Sequence, residues 1–347
     1  MDFGLFLEFP RTEGGSEQEA FRDAFDLVDK AEQQGVDSVW LAEYHFNPAR
    51  VLSSPVTISS AIAARTERMR IGMAVLLLPL GDPIRIAEDI ATLDHISEGR
   101  VEFGIGRGTF PNVHEAFRVP FSESRLRFEE ALEVILKAWT SETFSFQGEY
   151  FSYNDLEVTP KPYQTPYPPI HVGVTSADSF PIMGRMGHHI LINPSRVFSL
   201  SELKPYIQEY RREWKEAGHA GEAKVGLRVP IYVAETAEQA YSEPRESALL
   251  SKERLGNRVA EYAHHSEGTK GWQDQAKRIQ AMDYDDWLRD KVAYGTPEVV
   301  IDRLGGLKEE LGLDQLMFEV NFGSLIPHER QLKSLKLFTE KVVPNVR

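Results

Sequence analysis

The chain of 347 residues contains no cysteine. That absence rules out a disulfide framework, a thiolate metal site and a cysteine nucleophile at once. It also has too few basic residues to balance its acids: 39 Lys and Arg stand against 53 Asp and Glu, a formal net charge of −14. Nucleic acid and anionic membrane are therefore excluded as main partners, although a local cation pair can still hold one phosphate. Long apolar runs are missing as well. No window approaches ~18 uninterrupted apolar residues, and "MDFGLFLEFPRTEGG" lacks the basic start of a secretory leader, so the expectation is a cytoplasmic protein with no membrane span. Low-complexity tracts and repeats of fixed period do not occur.

What is present is ordinary globular material, 41% hydrophobic and 27% charged, arranged in a rhythm. "FGLFLEF" reads as a strand and is followed by "SEQEAFRDAFDLVDKAEQQG", in which Ser16 and Glu19 have capping-box spacing and Gly35 marks a stop. "VDSVWLA" precedes a helix from about Pro55 to Glu67, and "MRIGMAVLLL" one from about Pro83 to Ser97, each opened by proline. "RVEFGIG", "PIHVGVT", "HHILIN", "VGLRVPIYVA" and "DQLMFEVNF" bring the strands to eight, each with helical sequence after it. Continuous apolar strands alternating with helices predict a parallel sheet, and eight units predict a closed (β/α)₈ TIM barrel over residues 1–347 as one domain. Two stretches break the rhythm. "FSFQGEYFSYNDLEVTPKPYQTPYPP" reads as an aromatic hairpin with a proline-rich crossing, and the charged segment around 251–293 reads as a mobile lid.

"VEFGIGRGTF" raises the question of a dinucleotide turn, because Gly104, Gly106 and Gly108 follow a strand. A GxGxxG fingerprint would need its third glycine at Thr109, and "FPNVHEAFRVPF" is expected not to open a helix. Close-approach glycines and one cation, Arg107, remain. In a barrel the informative residues stand just after each strand. Those are Glu8 and Phe9, Glu43 to Asn47, Ala74 and Val75, Gly106 to Gly108, Thr175 to Ser179, Asn193, and Glu319 with Asn321. "TSADS" joins hydroxyls to a helix N-terminus, which favours an anion, or serves simply as an N-cap; Arg107 and Arg125 favour a phosphate there. "EYHF" places a carboxylate, a phenol and an imidazole on one loop, with His45 the natural proton carrier and a structural histidine the plainer alternative. The His pairs at 188–189 and 264–265 lack metal-ligand spacing, so no metal is expected. Apolar walls at "MAVLLLP" suit a flat aromatic group.

In "DSVWLAEYHF", "PIRIAEDIATLDHISEGRVEFGIGRG", "SRLRFEEALEVI", "YGTPEVVIDRL" and "SLKLFTEKVVPNVR", taken in this order from end to end, the chain resembles the bacterial luciferase-like, flavin-dependent monooxygenases, and looks closest to the luciferase α-subunit branch. The resemblance implies a barrel that pairs with a second barrel, as a homodimer or with a paralogue. It also implies reduced FMN, supplied by a separate NAD(P)H-dependent flavin reductase, with the ring at the C-terminal mouth. O₂ then adds at flavin carbon 4a, and the hydroperoxide gives one oxygen atom to a small, partly apolar substrate. Carried over by position, Arg107, Arg125, Thr175, Ser176 and Ser179 hold the phosphate, and Gly106 and a cis Ala74–Val75 peptide lie against the ring. Phe9, Phe46 and Phe110, read from the sequence itself as lining side chains, suggest a partly apolar substrate. His45 or Tyr44 is the implied proton donor. The chain departs from the α-subunit pattern in three places: Tyr44 replaces the first histidine of E-H-H-F, Gly106 replaces a reactive cysteine, and the acid of the following loop is replaced around "PNVHE". These changes point away from light emission from a long-chain aldehyde and leave oxygenation in place. Two other readings carry weight, a deazaflavin-dependent dehydrogenase of the same superfamily and a non-catalytic flavin-binding partner subunit.

Overall fold

The computed structural model describes residues 1–12, 14–193, 200–265 and 270–347. Eight parallel strands close on themselves: β1 (Asp2–Leu7), β2 (Ser38–Leu41), β3 (Arg70–Met73), β4 (Val101–Gly106), β5 (Ile170–Val174), β6 (His189–Ile192), β7 (Val225–Val233) and β8 (Gln315–Glu319). Each pairs with the next in sequence. Closure is made by β8 with β1, in register Phe3↔Leu316, and by β6 with β7, in register Val225↔Ile190. This is the (β/α)₈ barrel that the eight apolar runs predict. The strands are mostly apolar because helices cover one face and the barrel interior fills the other. All nine residues of β7 are buried, Arg228 and Pro230 among them.

The first helix, Glu17–Gln33, starts at the expected capping box: Ser16 accepts from the Glu19 N–H, and Glu19 reaches back to Ser16. Helices Pro55–Ala63 and Pro83–Ile96 have proline in the first turn, where the missing N–H costs nothing. The first of these ends four residues short of the expected Glu67. "FPNVHEAFRVPF" also departs from expectation, since Pro111–Ala116 is a short helix. Its proline occupies the opening position, which a proline tolerates, so the aromatic and proline content did not prevent it.

Trp40 fills the barrel interior with no exposure, in the space left by two residues without side chains. A Cβ on Gly4 would stand 2.6 Å from its ring, and one on Gly72 would stand 2.4 Å away. Its Nε1 donates to Ser38 Oγ at 2.9 Å, and its ring meets His171 edge-on at 5.2 Å. His171 in turn pairs with Glu102 at 2.7 Å.

The hairpin is present as Phe144–Gln147 paired antiparallel with Ser152–Leu156. The segment expected as a lid is helical where it is described: Arg245–His265, Lys270–Ala281 and Tyr284–Asp290; residues 266–269 lie outside the described residues. It carries its own apolar cluster, built from Ala248, Leu255, Val259, Ala276, Ile279, Tyr284, Trp287 and Val292 with Phe322. Among the described residues no helix is long and apolar enough to cross a membrane.

Candidate active site

At the C-terminal ends of the strands lies a cavity of about 330 Å³. Its apolar bed comes from Phe6, Tyr44, Ala74, Val75, Phe110, Leu191 and Met317, which pack together. The Ala74–Val75 peptide is cis, and the two-residue strand Leu76–Leu77 that follows pairs with Ile105 and Gly106 of β4. Gly106 is needed for that approach, because a Cβ there would stand 2.4 Å from Val75 Cγ2.

One end of the cavity is polar. Arg107 is exposed and makes no ion pair among the described residues. Arg125 is also exposed, but its Nε donates to Glu129 at 3.0 Å, the plainer role open to it. Thr175, Ser176 and Ser179 line the same end, with Ser176 Oγ and Ser179 Oγ 2.8 Å apart at the start of the helix Ser179–Met186. Asp178 precedes that helix and makes no capping bond, so the segment is not an ordinary side-chain N-cap. Asp178 and Glu129 are both in the lining, so the end mixes two guanidinium groups with two carboxylates.

The structure gives Tyr44 and His45, neighbours on one loop, different surroundings. Tyr44 lines the larger cavity, and its hydroxyl donates to Glu8 Oε1 at 2.7 Å. His45 lines an adjoining cavity of about 150 Å³ that shares Glu43, Tyr44, Leu77, Gly108, Thr109 and Phe110 with the first. Its Nε2 lies 2.7 Å from Glu43 Oε1, and its ring meets Phe117 edge-on at 4.8 Å. Phe46, 68% exposed with φ +53°, is in that smaller cavity, and an aromatic held in a left-handed conformation is a feature found at sites where structure serves function. Phe110 lines both cavities. Phe9 is a correction. Its ring is fully buried against Phe21 and Phe25 on the core side of the strand end, and it lines neither cavity.

Beneath the bed is a buried group that strand-end reasoning reaches only in part. Glu8 pairs with Arg50 and, at 3.2 Å, with Arg228, and Arg228 pairs with Glu319 at 2.5 Å. Arg228 also lies over the Phe6 ring at 4.0 Å and lines the larger cavity. Burial alone would raise the Glu8 carboxyl, but Arg50 and Arg228 hold it well below the usual carboxylate range. Glu319 goes the other way: burial and the nearby Glu8 charge outweigh Arg228 and lift it above that range. Glu8 and Glu319 are visible in the sequence as strand-end acids. Arg228 has a different signal, a charge inside the apolar run "VGLRVPIYVA", which burial permits only with a partner. Arg50 gives none, since it stands in a loop. No group of three or more His, Asp or Glu among the described residues is placed to hold a metal.

The sequence profile of the family described as luciferase-like monooxygenase matches residues 1–315. Limonene 1,2-monooxygenase of Rhodococcus erythropolis is 27% identical over 357 aligned positions, covering 99% of this chain and 86% of its own. FMNH₂-dependent dimethylsulfone monooxygenase of Pseudomonas putida is 26% identical, covering 76% and 72%. Among solved structures, the oxygenating constituent of 3,6-diketocamphane monooxygenase from Pseudomonas putida, in complex with FMN, superposes with a TM-score of 0.85 over 100% of this chain and 99% of that one. At 22% identity that likeness speaks to the fold.

Proposed function

This chain belongs to the luciferase-like monooxygenase family and is a flavin-dependent monooxygenase; from that premise we propose that it takes reduced FMN from a separate NAD(P)H-dependent reductase and places one oxygen atom of O₂ on a small, partly apolar organic substrate. The observation that carries this reading is a cavity that joins an apolar bed to guanidinium groups and hydroxyls, a lining that suits an apolar ring with a phosphate tail. A Cβ at Gly106 would fill the space into which Val75 is pressed, so the residues present fit the group. When bound, reduced FMN supplies the two electrons that let O₂ give one atom to substrate and leave the other as water.

The chain's own residues have separable duties. Ala74, Val75, Leu191 and Met317 press on the ring and exclude water. Arg107, with Ser176 and Ser179, binds the phosphate, and Arg125 joins by sharing its charge with Glu129. The smaller cavity, with Phe46 at its rim and Phe110 in the shared wall, takes the apolar part of the substrate. His45 carries the proton. Tyr44, whose hydroxyl donates a hydrogen bond to Glu8, holds its ring against the bed. The helical segment around 251–293 closes the site, although none of its described residues lines either cavity in this conformation. A second barrel completes the assembly.

The test is anaerobic mixing with reduced FMN, then with O₂. Stopped-flow absorbance follows flavin reoxidation while compounds are screened for those that yield oxygenated product at the expense of H₂O₂ release. Saturable binding of reduced FMN and at least one such compound are the expected results. Binding of reduced deazaflavin in preference to reduced FMN would overturn the proposal, as would reoxidation identical to that of free flavin.

A further inference from the structure

Glu43 lies in the wall between the two cavities and lines both. One oxygen of its carboxylate is 2.7 Å from His45 Nε2. The other accepts the backbone N–H of Leu77 at 2.8 Å. Leu77 belongs to the short strand that follows the cis Ala74–Val75 peptide and pairs with Gly106, so it is part of the scaffold of the bed. One side chain therefore touches the bed through a backbone amide and the imidazole through a ring nitrogen. Both partners are sheltered, with side-chain exposures of 9% for Glu43 and 13% for His45. No Lys or Arg pairs with Glu43 among the described residues, so its carboxylate is shared between the Leu77 amide and the His45 ring nitrogen.

We propose that Glu43 is a positioning residue that fixes the tautomer of His45 and ties its orientation to the bed, an inference that rests on reading His45 as the proton carrier. An ionised carboxylate only accepts, so the proton of the neutral imidazole resides on Nε2, facing Glu43. Nδ1 then keeps its lone pair and is the atom that takes up and returns a proton. The Leu77 contact adds a second effect. A ligand that presses on Ala74 and Val75 moves the amide to which Glu43 is anchored, and the imidazole moves with it.

Glu43→Gln separates the two contacts. The carbonyl oxygen of the new side-chain amide accepts from Leu77 as before, while its NH₂ group turns to His45 and requires a lone pair on Nε2, which sends the imidazole proton to Nδ1. ¹⁵N NMR of histidine-labelled protein is expected to show His45 protonated at Nε2 in the parent chain and at Nδ1 in the variant. Reduced FMN affinity should stay within about threefold, and the rate constant for reoxidation of bound reduced FMN by O₂ should fall about 10–100-fold, the usual consequence of losing a group that orients a functional imidazole. Glu43→Ala, which loses both contacts, should weaken reduced FMN binding as well. An unchanged His45 tautomer in Glu43→Gln overturns the inference, and so does a changed tautomer with the parent reoxidation rate. His45→Ala keeps the two ideas apart: if it reoxidises reduced FMN as the parent does, the proton-carrier reading fails, whereas the tautomer measurement still decides the link between Glu43 and His45.

Discussion

Arg107 and Arg125 stand at the same end of the cavity with different obligations. Arg125 is already paired with Glu129, and Arg107 has no carboxylate partner among the described residues. Arg107→Ala should therefore weaken binding of FMN ten- to hundredfold, about 1.5–3 kcal/mol for a charge-assisted contact, and leave riboflavin nearly unaffected. Equal losses for both ligands in a titration would remove Arg107 from the phosphate site. The proton loop can be divided in the same way. His45→Ala should lower the yield of oxygenated product by about 10²–10⁴ while reduced FMN still binds, the range expected for a positioned acid or base. Tyr44→Phe should act first on the buried charges, costing about 1–2 kcal/mol in denaturant unfolding because Glu8 loses one donor but keeps Arg50 and Arg228. A larger loss of coupling in Tyr44→Phe than in His45→Ala would shift the proton to the phenol. Most of these residues are legible in the sequence because they immediately follow strands. The turn of Phe9 into the core is not, since two residues past a strand end the side chain can face either way. Nor does the sequence show that Tyr44 lines both cavities whereas His45, next to it along the chain, lines only the smaller one.

Among the elements, the barrel strands are the most legible, because their apolar runs are short, continuous and bounded by helical sequence. The helices of the charged segment are the least. Their buried positions, Ala248, Leu255, Val259, Ala276 and Ile279, are three to seven residues apart within each helix in a largely charged context, a sparse stripe that the eye takes for a solvated excursion. The proposed closing role makes this segment the place to look for opening motions. Amide hydrogen exchange without ligand should be faster in 251–265 and 270–290 than in β1 to β8, and binding of reduced FMN should slow it. Exchange as slow as in the strands would leave no room for a lid. The short helix Pro111–Ala116 teaches a related point. It carries Val113 and His114 into the wall of the smaller cavity, so the turn of chain with the poorest helical signal positions part of the site.

At the scale of the whole molecule, the buried ionisable groups set how stability follows pH. Burial, with the charge of His219, holds His188 down to about 4; burial, with the charges of His171 and Lys224, holds His189 down to about 3. Both lie below the ordinary histidine value of about 6.5, so the unfolded chain binds protons that the folded chain refuses. The stability they contribute is fully present above pH ~6.5 and is lost as the pH falls toward their folded values. Glu319 opposes them. Its raised pKa means that the folded chain holds a proton more tightly, so its contribution is lost as pH rises through the region between ~4.5 and ~7. Thermal melts across pH 4 to 7 should therefore fall more steeply on acidification in Glu319→Gln, and less steeply in His189→Phe, which keeps an aromatic ring against Trp214. The opposite ordering would refute this balance. A different consequence follows from the apolar cluster around Trp287, which is separate from the main core and meets the loop after β8 through the Trp287–Phe322 stack and the bond from Ser247 Oγ to the Phe322 carbonyl. Its separation from the main core makes this cluster a candidate for a second unit of cooperativity. Calorimetry should resolve a small early endotherm for the helical segment ahead of the barrel's main transition, with a van't Hoff enthalpy below the calorimetric one. Because the early unit holds none of the residues proposed to grip the phosphate, a protein warmed between the two transitions would still retain its flavin after it had lost control of what the flavin does.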